Sequence, residues 1–328
     1  MMNFKKQVIA SAIFLGAALA AHSVVAANDM PSWIQNWTLG APSHWDYIDI
    51  DVLRHRLFLC RGDHVQVLDL PSGNVTGDIP NTNGVHGIAF AQDLKLGFAS
   101  NGKANSVTVF DLDTLAVKQE IKVSGVNPDA ILYDQQSRQL YTFNGKTANV
   151  TVIDVNSLQV VATIATTGKP EFAVNNGNGK IFFNVEDKAE IHTIDIVSNK
   201  LIAKWPLSHC EEPTGLAMDI KNDRLFSVCQ NNTMVVTDAT TGKQVASVTI
   251  GGHPDAAVYD ADLATIYSSN GEGSLSVIKQ IDANHYSAAT NVKTVKGART
   301  MAMDKASKII YLPAIIDKQF TVMSYGNK

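Results

Sequence analysis

From about residue 42 onward the chain is written in short runs that alternate apolar and polar positions, separated by polar turns. Gly125 to Asp154, GVNPDAILYDQQSRQLYTFNGKTANVTVID, shows the unit. It reads as a turn, an alternating strand, a polar turn, a second strand, a polar loop and a third strand that ends in aspartate. Alternation with period two and β-branched enrichment predict strands that pack on both faces. The closing aspartate recurs at Asp69, Asp111, Asp154, Asp195 and Asp238, with Lys279 in the sixth place, at intervals of 42, 43, 41, 43 and 41 residues by subtraction of those positions. A period in the low forties made only of strands predicts a β-propeller with one four-stranded blade per repeat. A parallel β-helix or a pair of β-sandwiches fits four strand-like pieces per repeat less well.

Seven innermost strands are expected to begin near Asp46, His86, Asp129, Glu171, Thr214, Asp255 and Arg299. Second strands follow at Leu57-Phe-Leu, Leu140-Tyr-Thr-Phe, Ile181-Phe-Phe and their equivalents. Third strands follow at Val65-Gln-Val-Leu, Val107-Thr-Val-Phe, Val150-Thr-Val-Ile and so on to Phe320-Thr-Val-Met. Asp-x-x-Thr/Ser turns close them, with side chains able to bond the turn's own amides. The seventh repeat ends before a fourth strand, while Ile34 to Leu39 precedes the first repeat and looks like an outermost strand without a blade. The sequence therefore predicts an all-β, seven-bladed β-propeller closed by an N-terminal strand that completes the last blade, which removes two exposed sheet edges. No helix is needed downstream of the first residues.

Those first residues read as a targeting segment. Lys5 and Lys6 precede an apolar run from Val8 to Ala21, and Val24-Val25-Ala26 forms a small-residue cleavage site. Residues 1–26 are thus expected to be a cleavable secretory signal peptide, and residues 27–328 a single propeller domain that is periplasmic or secreted, with no membrane span once the leader is removed. The formal net charge of −4 becomes −6 when Lys5 and Lys6 leave with the leader. A mildly acidic chain with scattered basic residues gives no strong nucleic-acid signal and no attraction to anionic membrane. Of three cysteines, Cys210 precedes the first strand of blade 5 and Cys229 ends its second, so antiparallel pairing brings them to one end of the blade and permits a disulfide. Cys60 takes the place in blade 1 that Cys229 has in blade 5. It reads either as a packed small hydrophobe or as a thiol beside His64 able to bind a soft metal.

The phrase Leu140-Tyr-Thr-Phe-Asn, then Val150-Thr-Val-Ile-Asp154, Val160, Ile164 and Gly168-Lys-Pro170, closely resembles the YVTN repeat of the YncE-like seven-bladed propellers of exported bacterial proteins. The likeness spans the whole chain after the leader and is weakest in blades 1 and 7, where Gly297-Ala-Arg-Thr replaces the Gly-x-x-Pro turn and Pro313 the final Asn. It implies an exported propeller of the periplasm or cell surface that works by binding. Some members have been linked to DNA binding, but no motif for it maps onto residues of this chain.

Propellers place ligands at the mouth of the central channel, where the seven entry residues meet. Asp46, His86, Asp129, Glu171, Asp255 and Arg299 are the expected ligand-binding residues. His44, His86, Glu171, His253 and Asp255 are a candidate set for a divalent metal, because imidazole and carboxylate together suit zinc or manganese. Crowded carboxylates repel unless a cation or proton intervenes. Arg299 has the fork to bind an anionic ligand, or to pair with Asp46 or Asp255. The same acidic residues also suit a purely structural role, capping amides of a neighbouring strand. Trp33, Trp37, Trp45 and Trp205 show no repeated docking position of the kind a quinone cofactor needs and read as blade packing. No Gly-x-Ser-x-Gly elbow, Walker loop, His-Glu-x-x-His pair or dinucleotide fingerprint occurs.

Three functions follow from these residues. The chain binds a small molecule, a divalent metal or a peptide at the channel mouth; or it is a metal-assisted hydrolase or lyase of lactone or cyclic-ester type that uses Asp129, Glu171 and Asp255 with His86 and His253; or it is a scaffold for a protein partner.

Overall fold

The structure is a computed structural model that describes residues 30–326. The leader of residues 1–26 and its cleavage site lie outside the described residues. Seven four-stranded antiparallel sheets form the blades, the strands of blades 1 to 6 running in sequence order from the axis outward. Blade 3 is typical: Pro128–Asp134 lies innermost, followed by Gln139–Asn144, Asn149–Asp154 and Gln159–Ala165. The closing strand is Ser32–Thr38, which pairs antiparallel with Gln319–Gly326 as the outermost strand of blade 7. It begins two residues before the run marked in the sequence and bulges between Trp33 and Gln35. Among the described residues, the only helical pieces are two short 3-10 turns, Gln92–Leu94 and Glu186–Lys188. No helix among them is long and apolar enough to cross a membrane.

The core lies between blades rather than within them. Phe58 and Val67 of blade 1 pack with Ile88, Ala99 and Phe110 of blade 2, and Phe143 of blade 3 meets Phe183 of blade 4 at a ring separation of 5.1 Å. Both faces of each sheet are apolar because each blade has two neighbours, which is why the alternation in the sequence is between two buried faces. The aspartate turns form as their spelling requires: Asp154 accepts the Ser157 amide at 2.7 Å, and Asp238 accepts that of Thr241 at 2.9 Å. Lys279 cannot accept, so blade 6 replaces the short turn with a longer connection, where the Ser287 hydroxyl accepts the Lys279 amide at 3.0 Å.

Two of the tryptophans pack between blades in one repeated way. Trp37 and Trp205 each lie on an outermost strand and cover the glycine of the next blade's outer turn. A Cβ on Gly73 would stand 2.3 Å from the Trp37 ring, and one on Gly242 the same distance from that of Trp205. Both glycines have φ of +72°. The repeat is hidden in the sequence because ring and glycine belong to different blades. Gly242→Ala is expected to cost about 3 kcal/mol, combining a left-handed backbone with an overpacked contact. Urea denaturation of the variant measures it, and a loss below about 1 kcal/mol would show that the Trp205 ring moves aside freely.

Cys210 and Cys229 are joined by a disulfide with their Cα atoms 5.4 Å apart, beside the pairing of Pro213 with Cys229. Cys60 is fully buried among Phe58, Val85 and Ile88. Burial, then the charges of Asp46, Asp49 and Asp129, push its thiol well up, so it is a protonated packing group. His64 turns instead to Asp63, at 2.8 Å. The thiol's apolar setting fits the packed small hydrophobe, and Cys60 is not among the described residues whose ligand atoms converge.

Candidate ligand site at the channel mouth

The innermost strands deliver their entry residues by one repeated device. Their pairing with the second strand breaks register between Val85 and Ile88, Pro128 and Ile131, Pro170 and Ala173, Pro213 and Leu216, and Pro254 and Ala256. Each break contains an entry residue: His86, Asp129, Glu171, Thr214 or Asp255. A bulge re-aims a side chain that regular pleating would direct elsewhere. Proline at the first strand position removes a donor where no ladder partner exists. In blades 1 and 7 the regular strands start later, at Ile48 and Ala302. Asp46 and Tyr47 are held there by irregular bonds instead, Asp46 N to Cys60 O at 3.1 Å and Tyr47 N to His86 O at 3.1 Å.

Three entry residues converge. His86 Nδ1 lies 2.6 Å from Asp46 Oδ2 and 3.7 Å from Asp129 Oδ1, and one ligand atom from each of the three lies within 4.8 Å of the others. Arg299 continues the chain of charges: its Nε donates to Asp255 Oδ2 at 2.7 Å, and its Nη2 is 3.7 Å from Asp46 Oδ1. Glu171 stands apart with Lys169, whose Nζ is 2.6 Å away and also bonds Glu186. Thr214 donates to the carbonyl of Pro254 at 3.0 Å and is structural.

The metal set expected from sequence is brought together only in part. His44 and His253 are both exposed, and neither joins the converging group. His253 has φ of 57°, and Gly84, Asn127, Glu212 and Gly297 at equivalent places are also left-handed. These are turn positions whose backbone carries the chain to the mouth; Asn127 still reaches back to hydrogen-bond His86, whereas His44 and His253 stay out of the converging group. Glu171 and Asp255 are bound to cations of the protein itself. Asp46 and Asp129, assigned in the sequence to general ligand binding, are the carboxylates that meet His86.

Enclosure sets the protonation of the site. Burial raises the Asp255 carboxyl to about 7 despite Arg299, with Asp46 and Asp129 adding to the rise. Burial also lifts Asp129 to about 6; His86 opposes this and Asp46 reinforces it. Glu171 is pushed well up by burial and by Asp129, against the pull of Lys169. For His86, burial favours the neutral ring, but the bond to Asp46 and the charges of Asp129 and Asp46 win, and its pKa rises. The mouth therefore holds protons more tightly than the unfolded chain would.

Sequence reasoning missed Tyr47 and Phe172. These rings meet across the channel at 5.0 Å between blades 1 and 4, and the Tyr47 hydroxyl donates to the Asp255 carbonyl at 3.1 Å. They form the floor beneath the charged residues. A signal was available: the residue after each entry position is Gly87, Ala130, Gly215, Ala256 or Thr300 except in these two blades. Small residues are needed because the blades crowd the axis, and a Cβ on Gly215 would lie 2.7 Å from the Asp255 carbonyl.

The fold is shared with solved propellers of low sequence similarity. Hydrazine synthase of Kuenenia stuttgartiensis matches with a TM-score of 0.73 at 16% identity, covering 87% of this chain and 96% of that one. A chain of the mitotic checkpoint complex matches at 0.79 and 13% identity, over 98% and 99%. The WD40 repeats of RRP9 match at 0.79 and 7% identity, over 90% and 100%. At these identities the likeness carries the fold alone. No protein-family model and no curated protein matches the chain.

Proposed function

We propose that this is an exported binding protein of the YncE-like propeller class, and that it holds a divalent cation at its channel mouth between Asp46, His86 and Asp129. One observation carries the reading: the ligand atoms of these three side chains lie within 4.8 Å of one another, in an enclosed site where two carboxylates face one imidazole. Nitrogen and carboxylate oxygen together suit zinc or manganese. A cation would take the place of the proton shared by His86 and Asp46, so affinity should rise with pH. Export is supported by the leader-like first 26 residues and by the Cys210–Cys229 disulfide, which suits an oxidising compartment.

The test is elemental analysis and calorimetry on mature protein purified without a metal-binding tag. The expected result is one zinc or manganese ion per chain, with at least tenfold weaker binding in His86→Ala. A metal-free protein whose melting temperature is unchanged in zinc, manganese and copper would end the reading. The lactone or cyclic-ester hydrolase reading needs the same cation and falls with it. A scaffold for a protein partner is the second reading, favoured by the internal pairing of Arg299 with Asp255 and of Lys169 with Glu171. It predicts no cation and binding insensitive to His86→Ala.

A further inference from the structure

Beneath the floor made by Tyr47 and Phe172 the channel changes character. It encloses a cavity of about 440 Å³ whose walls include Leu132, Val174, Leu216, Met218, Val258 and Met303. That volume falls in the range of about 300–1,000 Å³ usual for small-molecule sites. The two rings line the cavity at its end toward the charged mouth. It opens at the opposite face, where its lining includes Ile220 and Lys305, both exposed and both in turns that join the first and second strands of their blades. Val52 and Leu53, in the equivalent turn of blade 1, are 51% and 70% exposed, so this opening has an apolar rim.

Two charged residues line this space, Asp49 and Lys305. Lys305 stands at the rim in solvent. Asp49 lies on the innermost strand of blade 1 with its side chain exposed to the water of the channel, and its only hydrogen bond among the described residues comes from the Ile50 amide at 2.7 Å. The other strands put apolar side chains at this level: Leu132 in blade 3, Val174 in blade 4 and Val258 in blade 6. A hydrated carboxylate among apolar walls, acted on by Lys305 but held in no close ion pair, can meet an ammonium whose apolar body displaces water from those walls.

We infer that this cavity is a second ligand site, separate from the mouth, which takes a molecule with an elongated apolar body and one ammonium group. The body lies between the innermost strands and the ammonium meets Asp49. The apolar walls supply affinity without direction, and Asp49 supplies the choice of head group. Met218 and Met303 add unbranched, adaptable walls of the kind that accept ligands of varied shape. The charged or titratable groups that act on Asp49 are Asp51 on its own strand and Lys305 from blade 7, and the Cys60 thiol on the paired strand feels its charge. Desolvation by the surrounding strands is the largest influence and raises the Asp49 carboxyl to about 6, the Ile50 amide and Lys305 opposing and Asp51 reinforcing, while channel water reaching the exposed side chain screens part of this rise. An ammonium ligand binds the ionised form, so its affinity falls as pH drops through that value.

The test is calorimetric titration of the mature chain with n-decylamine, n-decanol and n-decanoate at pH 5 and pH 8. Decylamine should bind at least tenfold more tightly than decanol at pH 8, and this advantage should shrink at pH 5. Asp49→Asn should abolish the advantage while retaining decanol binding. Lys305→Glu, at an exposed position, should strengthen decylamine binding. Met218→Trp, which fills the cavity, should weaken both ligands together. His86→Ala should change none of this, which keeps the result apart from the cation site at the mouth. Equal affinity for amine and alcohol, preference for decanoate, or indifference to Met218→Trp would each overturn the proposal.

Discussion

Arg299→Met is expected to cost about 2 kcal/mol at pH 8 and far less at pH 5. The guanidinium pairs with Asp255 at 2.7 Å and approaches Asp46 at 3.7 Å. Removing one member of a buried pair typically costs about 3–5 kcal/mol, and the partial exposure of Arg299 argues for a smaller figure. The pH dependence follows from the direction of the Asp255 shift. Its folded pKa, about 7, lies above the ordinary carboxylate value, so the folded protein binds this proton more tightly than the unfolded chain does. Such a group contributes stability at low pH that is lost as pH rises through its folded value. Asp129, at about 6, and His86, also raised, act in the same direction. The wild-type protein should therefore lose stability between about pH 4 and pH 8, as the mouth gathers negative charge. At pH 5 Asp255 is largely protonated and has little need of Arg299; at pH 8 it is ionised and needs it. Urea denaturation of both proteins at the two pH values measures the difference. An equal loss at both would mean that Arg299 acts through packing alone.

Replacing both Cys210 and Cys229 with serine should lower stability by about 3 kcal/mol, the chain-entropy expectation for a closed loop of this size. The bridge spans 19 residues and ties the loop entering blade 5 to the end of that blade's second strand. Cys210 and Cys229 also pack with Phe182, Leu207 and Leu216 between blades 4 and 5, so the serines bring polar atoms into an apolar contact. Denaturation of wild type with and without reductant separates the two contributions, since reduction opens the bridge without adding a hydroxyl. If reduced and oxidised protein unfold at the same urea concentration, the bridge contributes nothing and only the packing matters.

A cation at the mouth interacts with the first of these results. Manganese or zinc between Asp46, His86 and Asp129 would neutralise part of the repulsion that grows with pH. The wild-type protein in such a metal should then show a flatter decline from pH 5 to pH 8 than it does in chelator.

Much of the architecture was legible in the amino-acid sequence. Repeats spaced in the low forties, alternation between two buried faces, the aspartate turns at Asp111, Asp154 and Asp238, and an orphan strand facing an incomplete seventh repeat are all local facts about the chain. Local facts suffice because each blade is built by short antiparallel connections, and ring closure needs only one strand from the far end. The sequence also permitted the Cys210–Cys229 pairing, since two adjacent strands bring those ends side by side, and the structure forms it.

What the entry residues do depends instead on where each stands around the axis, and only the tertiary structure decides that. The sequence placed His44 and His253 near His86 because each lies two positions before an entry residue of its blade; in the structure both are exposed and stay out of the converging group. Convergence of Asp46, His86 and Asp129 comes from three neighbouring blades whose bulges and irregular strand starts turn those side chains inward. Tyr47 and Phe172 meet because blades 1 and 4 are as far apart around the ring as seven blades allow, so only a side chain that crosses the channel reaches the other. Repetition along the chain specifies the blades. The angle between blades, which no single repeat encodes, specifies which residues touch.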